Sequence, residues 1–178
     1  MIIEDDERFA LEVVEFALGD IDGNGSIDIA VSVPAKNQVG SVSGVAILLN
    51  DGAGGFNMAG LAASRTGLFG GAGPSSLVLR DLNNDGKLDI AFRHLGAFVG
   101  SAFIETGIGV ALGQGDGSFA DPTFTAAGTI DLRERNALVA GDFNGDGVLD
   151  LATVAAGQLN LPGASTDRGL FVLLGNGD

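Results

Sequence analysis

Three stretches of this chain place oxygen-bearing side chains at alternating positions around a glycine. In the first, Asp20, Asp22, Asn24 and Asp28 stand at loop positions 1, 3, 5 and 9, with Gly25 at position 6. In the second, the same positions hold Asp81, Asn83, Asp85 and Asp89, with Gly86. In the third they hold Asp142, Asn144, Asp146 and Asp150, with Gly147. Carboxylate and amide oxygens are hard ligands, and Ca²⁺ takes six to eight of them. Position 7 adds a backbone carbonyl, from Ser26, Lys87 and Val148. Water would complete the shell, and the glycine allows the sharp turn that such a loop needs. The pattern predicts about three Ca²⁺ ions, each holding neighbouring strands together, since a loop of carboxylates repels itself without a cation.

Two other metal loops fit poorly. An EF-hand needs Glu at position 12, where Val31, Phe92 and Thr153 stand, and it needs flanking helices. A nonapeptide β-roll repeats its motif every nine residues, which this chain does not. Plain Asp/Asn/Gly hairpin turns without metal remain the open alternative.

Catalysis finds less support. Paired acids could serve a glycosidase, but these acids recur in every copy, as structural ligands do and a single active site does not. An enzymatic reading would need acids outside the loops, such as Glu105, Asp121 and Glu134, to converge on a pocket. The single histidine, His94, has no cysteine or second histidine to join it. No Gly-x-Ser-x-Gly elbow is present. The glycines from Gly113 to Gly117 are spaced like a phosphate loop, but no helix pattern follows them and their repetition marks a hairpin. Asn24 also begins a glycosylation sequon ending at Ser26, an incidental match if Asn24 is a ligand. The expectation is a chain that is not an enzyme.

The elements that must hold these loops are strands. An apolar-rich stretch over residues 11–18 leads into the first loop, and residues 27–33 follow it, ended by Pro34. A third strand is expected over 45–49, then a Gly-rich turn, then a weaker fourth strand opened by Phe56. The pattern restarts at Leu77, with strands over 88–93 and 108–112, a turn over 113–117, and Phe119. A third copy has Leu138 to Ala140, then 149–154 and 170–174.

Loop starts at Asp20, Asp81 and Asp142 are 61 residues apart, and the second turn follows Leu49, Leu112 and Leu174 at intervals of 63 and 62. Two landmarks keeping one period make an internal repeat. Phe16, Leu77 and Leu138 correspond in the first strand, and Ile29, Ile90 and Leu151 in the second. Ala30, Ala91 and Ala152 coincide, which marks a crowded packing position. Residues 77–79 and 90–92 are apolar on both faces, so these strands are expected to be buried on both sides. A sheet sandwiched between copies of itself explains this, as in stacked propeller blades.

Composition narrows the function classes. The chain has 178 residues and is 46% hydrophobic, enough for an ordered core. Thirty glycines imply many turns. A net charge of −14 argues against nucleic acid and against anionic membrane surfaces. Nine of the 23 acids lie in the three loops; each bound Ca²⁺ adds two charges, so three would bring −14 to −8. Without cysteine there is no disulfide or thiol chemistry. Residues 1–8 are acidic and lack the pattern of a signal peptide. Apolar runs reach about five residues, far short of a membrane span, so no membrane insertion is expected.

The sequence resembles the FG-GAP/VCBS repeat family, whose blades build the integrin-alpha-type β-propeller. The resemblance is carried by Gly19 to Ala30, Asp81 to Ala91 and Gly141 to Ala152. Residues 174–178 are similar to the family's second hairpin, and 69–74 to its name-giving motif. Arg80 departs from the glycine before the second loop. The resemblance implies an all-β fold: a partial β-propeller of about three four-stranded antiparallel blades, at 1–68, 69–130 and 131–178, the last incomplete. Three blades are fewer than a ring needs, so the chain is expected to be a fragment of a longer, seven-bladed protein with further blades. The outer faces of its end blades should then be exposed and apolar.

The same resemblance implies an extracellular or cell-surface protein serving as a scaffold for adhesion or protein recognition. The alternative is an accessory propeller of a secreted enzyme whose catalytic domain lies outside this chain. Protein partners would meet the long variable loops at 34–44, 93–107 and 155–169. With no Trp or Tyr to stack on sugars, a lectin role is not expected.

Overall fold

The computed structural model describes residues 15–33, 42–66, 74–94, 97–99, 102–104, 107–126, 137–156 and 168–177. They are all-β, with no helix among them. The first sheet is the meander β1 (Phe16–Gly19), β2 (Asp28–Val33), β3 (Val42–Asn50) and β4 (Phe56–Thr66). The second joins β5 (Ser75–Arg80) and β6 (Asp89–His94) to β9 (Gly107–Ala111) and β10 (Thr123–Ala126). Between them stands a separate hairpin of β7 (Ala97–Val99) and β8 (Ala102–Ile104). The third has three strands, β11 (Leu138–Gly141), β12 (Asp150–Ala156) and β13 (Arg168–Leu173). All pairings are antiparallel. The sheets of four, four and three strands are partial propeller blades that do not close into a ring.

The first strands of the three sheets neighbour one another, β1 beside β5 and β5 beside β11. The second strand of the middle sheet, β6, therefore lies inside a stack, with side chains leaving alternately to the two faces. In β6, Ile90 and Phe92 join a core with Ile21, Ala30, Val45 and Ile47 of the first repeat. Ala91 joins the opposite core, with Leu138 and Leu151 of the third. The two-faced burial expected from the apolar run is thus present, and its cause is the neighbouring sheets.

The repeated alanine occupies one topological place. Ala30 lies between Ala17 and Ile47, Ala91 between Val78 and Val110, and Ala152 between Val139 and Val172. All three are buried. On the first two, the next sheet packs directly. Nothing described covers the third, and Val139, Val154 and Val172 on the same face are exposed. Phe16 and Leu18 are exposed at the other end of the stack. The apolar outer faces expected at the two ends are therefore observed.

Two expectations need correction. The strand opened by Phe56 is not weak: β4 runs for 11 residues, the longest described. It holds its length by shifting register against β3 at two irregularities, between Ser43 and Val45 and between Ile47 and Leu48. The stretch 93–107 is not simply a loop, since it contains β7 and β8. In the second repeat, Phe119 precedes the fourth strand. It forms an isolated bridge with Gly113, and β10 begins at Thr123. The name-giving motif at 69–74 lies outside the described residues except for Pro74, as does half of the strand expected over 11–18.

Close approach of the second turn to the loop requires glycine. A Cβ on Gly113 would stand 2.1 Å from the Leu88 carbonyl oxygen, and one on Gly175 would stand 2.3 Å from that of Leu149. Backbone cannot yield as a side chain tip can, so these turns are pressed against the ends of the oxygen-rich loops.

Candidate metal centre

Each loop joins the first and second strands of its sheet, and hydrogen bonds within it follow one scheme. Position 6 is glycine with φ of 86°, 84° and 86° at Gly25, Gly86 and Gly147, the left-handed region where a Cβ is unfavourable. That turn aims the glycine N–H back at position 1. It donates to Asp20 at 2.9 Å, to Asp81 at 2.8 Å and to Asp142 at 2.9 Å. The position 7 N–H donates to the position 5 side chain: Ser26 to Asn24 at 2.7 Å, Lys87 to Asp85 at 2.9 Å and Val148 to Asp146 at 2.8 Å.

Position 9 has a second task that spacing alone did not reveal. Asp28, Asp89 and Asp150 are fully buried. One oxygen of each accepts the N–H of position 2, from Ile21 at 2.7 Å, Leu82 at 2.8 Å and Phe143 at 2.8 Å. The other accepts an N–H from the second turn, from Asn50, Gly113 and Gly175, each at 2.8 Å. A buried carboxylate is tolerable when its lone pairs are met in this way. These residues tie the loop to the hairpin beyond it. Burial still pushes the Asp89 carboxyl above its usual range, against the pull of the Gly113 and Leu82 N–H groups, and the nearby Asp85 and Asp81 charges push the same way.

The three loops are not equivalent. In the first, carboxylate oxygens of Asp20, Asp22 and Asp28 all lie within 4.8 Å of one another. Asp20 Oδ1 is buried and has no hydrogen-bond partner. Among the described residues no other group of three acids converges so closely. In the second loop, Lys87 Nζ lies 3.6 Å from Asp85 Oδ2. That pair is half-exposed and contributes little to stability, but it partly offsets one of the acids. The Lys87 N–H is the main cause that holds the Asp85 carboxyl below its usual range. In the third loop, both oxygens of Asp142 accept backbone N–H groups, from Gly145, Asp146 and Gly147. The Gly147 N–H does most to hold this carboxyl low.

The donor set fits a hard cation. Loop positions 1, 3, 5 and 9 all carry side-chain oxygens, and the first loop leaves a buried carboxylate oxygen without a proton donor. An uncompensated buried oxygen of this kind is rare in folded proteins, and a cation would satisfy it. The residues suited to hold one there are Asp20, Asp22, Asn24 and Asp28, with the Ser26 carbonyl.

Other chemistry finds no constellation among the described residues. His94 lies at the end of β6 with its ring edge-on to Phe124 at 4.7 Å. Asp121 is exposed, while Glu105 and Glu134 lie outside the described residues. Sequence reasoning did not find the buried Arg93, the carboxylate of Glu15 that accepts the Ser76 N–H, or the reach of Asn84 into the third loop. None follows from a motif, and the Glu15 and Asn84 bonds each cross to a neighbouring repeat. No helix of the described residues is long and apolar enough to cross a membrane.

Compared with known families, residues 20–92 match the FG-GAP-like repeat and residues 135–168 match the FG-GAP repeat. No curated protein matches the chain.

Proposed function

The chain belongs to the FG-GAP repeat family, and on that premise we propose that it is a calcium-braced propeller segment of a secreted or cell-surface protein. Its task in this reading is non-enzymatic: a scaffold for adhesion or protein recognition. Repeats of this family point to a propeller-type scaffold for protein–protein interaction, and the described sheets agree with that coarser statement. The blades divide at 1–68, 69–130 and 131–178, and each carries one ion. The ligands are Asp20, Asp22, Asn24, Asp28 and the Ser26 carbonyl in the first blade. In the second they are Asp81, Asn83, Asp85, Asp89 and the Lys87 carbonyl. In the third they are Asp142, Asn144, Asp146, Asp150 and the Val148 carbonyl.

The observation that carries this reading is the convergence of Asp20, Asp22 and Asp28 around an unpartnered Asp20 Oδ1. When bound, the ion supplies charge neutralisation and cross-linking. The loop itself supplies shape: Gly25 turns the chain, and Asp28 anchors the loop to the Asn50 turn. Partners meet the long connections at 34–44, 93–107 and 155–169, which differ most between repeats.

Thermal melts in Ca²⁺ and in EGTA test the proposal. The melting temperature should rise with Ca²⁺ and fall with chelator, because an ion that binds only the folded state stabilises it by mass action. Equal melting temperatures in the two buffers would remove the calcium reading.

A further inference from the structure

The geometry points to Asn84 of the second loop as a positioning residue for the cation site of the third, so that the two neighbouring sites load as a coupled pair. This inference rests on the calcium reading of those loops. Asn84 stands at loop position 4, where the first and third loops have Gly23 and Gly145. All three are left-handed, with φ of 61°, 73° and 80°. Glycine is the least strained residue there, and Asn is among the few others that tolerate it. The second loop thus carries a side chain at a place where its two counterparts carry none.

That side chain leaves its own loop. Asn84 Nδ2 donates to the Gly147 carbonyl oxygen at 3.0 Å, across 63 residues of chain. The next N–H, of Val148, donates to Asp146 Oδ1 at 2.8 Å. These two bonds hold opposite ends of one peptide group, and a planar peptide turns as a unit. Fixing its carbonyl with Asn84 therefore fixes the direction of its N–H, and with it the Asp146 carboxylate. The same plane sets where the Val148 backbone continues. Asp146 and the Val148 carbonyl are two of the proposed ligands of the third site, and Asn84 acts on both without being a ligand of that site. The first loop has no comparable reach, since Gly23 has no side chain. An ion that orders the second loop would hold Asn84 in place and so prepare the third. By reciprocity the third must strengthen the second to the same degree.

Terbium(III) serves as the probe, replacing Ca²⁺ and read by luminescence excited through phenylalanine. The chain has no Trp or Tyr, and position 2 of the third loop is Phe143 where the others have Ile21 and Leu82. Emission lost in Phe143→Leu therefore reports the third loop. Asn84→Gly keeps the left-handed backbone free of strain and removes only the bridge; its melt in EGTA should match that of the unaltered protein. Its Phe143-dependent titration should shift to about 3–10-fold higher terbium, the worth of one lost hydrogen bond. A role confined to the second loop would not move this readout. Superimposable titrations of Asn84→Gly and the unaltered protein would overturn the inference and leave the calcium reading standing. Absence of any Phe143-dependent emission, with no response to added Ca²⁺, would instead remove the third calcium site and the coupling together.

Discussion

Asp28 and Asn50 stand 22 residues apart, yet the Asn50 amide donates to Asp28 Oδ1 at 2.8 Å. The same bond joins Asp89 to Gly113 and Asp150 to Gly175. A residue type that spacing marks as a cation ligand is therefore also the strut between two turns. The two tasks separate by mutation.

Asp28→Asn should destabilise the protein in EGTA as well as in Ca²⁺. An amide has one acceptor oxygen, so one of the Ile21 and Asn50 N–H groups would face an NH₂ in a buried place. Leaving such a donor unmet costs about 1–3 kcal/mol. Asp22→Asn, on the more open side of the loop, should lose stability in Ca²⁺ alone. Urea denaturation of both variants in both buffers checks this. If Asp28→Asn matched the unaltered protein in EGTA, the strut would have no energetic weight.

Arg93 sets a different problem. It is 1% exposed, and its two terminal nitrogens meet no hydrogen-bond partner among protein atoms. Burial pushes the guanidinium below its usual range. The corresponding residues are Ser32 and Val154, so the repeat does not require a charge there. Arg93→Met keeps most of the apolar stem and removes the buried charge. The expected result is a gain of about 1–3 kcal/mol by urea denaturation. A loss of stability would show that the guanidinium is paired in solution.

The turn after β3 should give the acid limb of stability part of its slope. Asp51 Oδ1 accepts the Ala53 N–H at 2.8 Å and the Gly55 N–H at 2.9 Å. The Ala53 bond first, then the Gly55 bond, hold its carboxyl below the ordinary 3.8. The unfolded chain then takes up the proton first on acidification. This contribution is complete above the ordinary value and is lost as pH falls through the depressed one. Asp89 works oppositely. Its raised carboxyl favours the folded state most below 3.8, and that advantage is lost as pH rises through the raised value. Asp51→Asn should flatten the acid limb in urea midpoints measured against pH in EGTA. An equally steep limb in the variant would show that these bonds do not survive in solution.

Much of this molecule was legible in its residues. The period of 61 located the three loops, and the apolar runs at 77–79 and 90–92 announced strands buried on both faces. The alignment of Ala30, Ala91 and Ala152 marked a tight place that proved buried in all three sheets. Other features were hidden. The length of β4 depends on register shifts against β3, and the β7–β8 hairpin lies where no repeat predicted a strand. The inequality of the loops was hidden as well. Asp/Asn order differs between the first loop and the other two, but only the folded chain brings Asp20, Asp22 and Asp28 together.

The sequence by itself determined what recurs at short range: the oxygen-bearing loop positions, the glycines at position 6, the apolar strands and the repeat. These follow from backbone sterics and side-chain type within a few residues. Tertiary structure alone decided which oxygens are already occupied, which faces stay uncovered and which loop reaches another. The physical reason is that a carboxylate's role depends on the donors around it. The N–H groups of Asn50, Gly113 and Gly175 reach Asp28, Asp89 and Asp150 only after two turns have folded against each other.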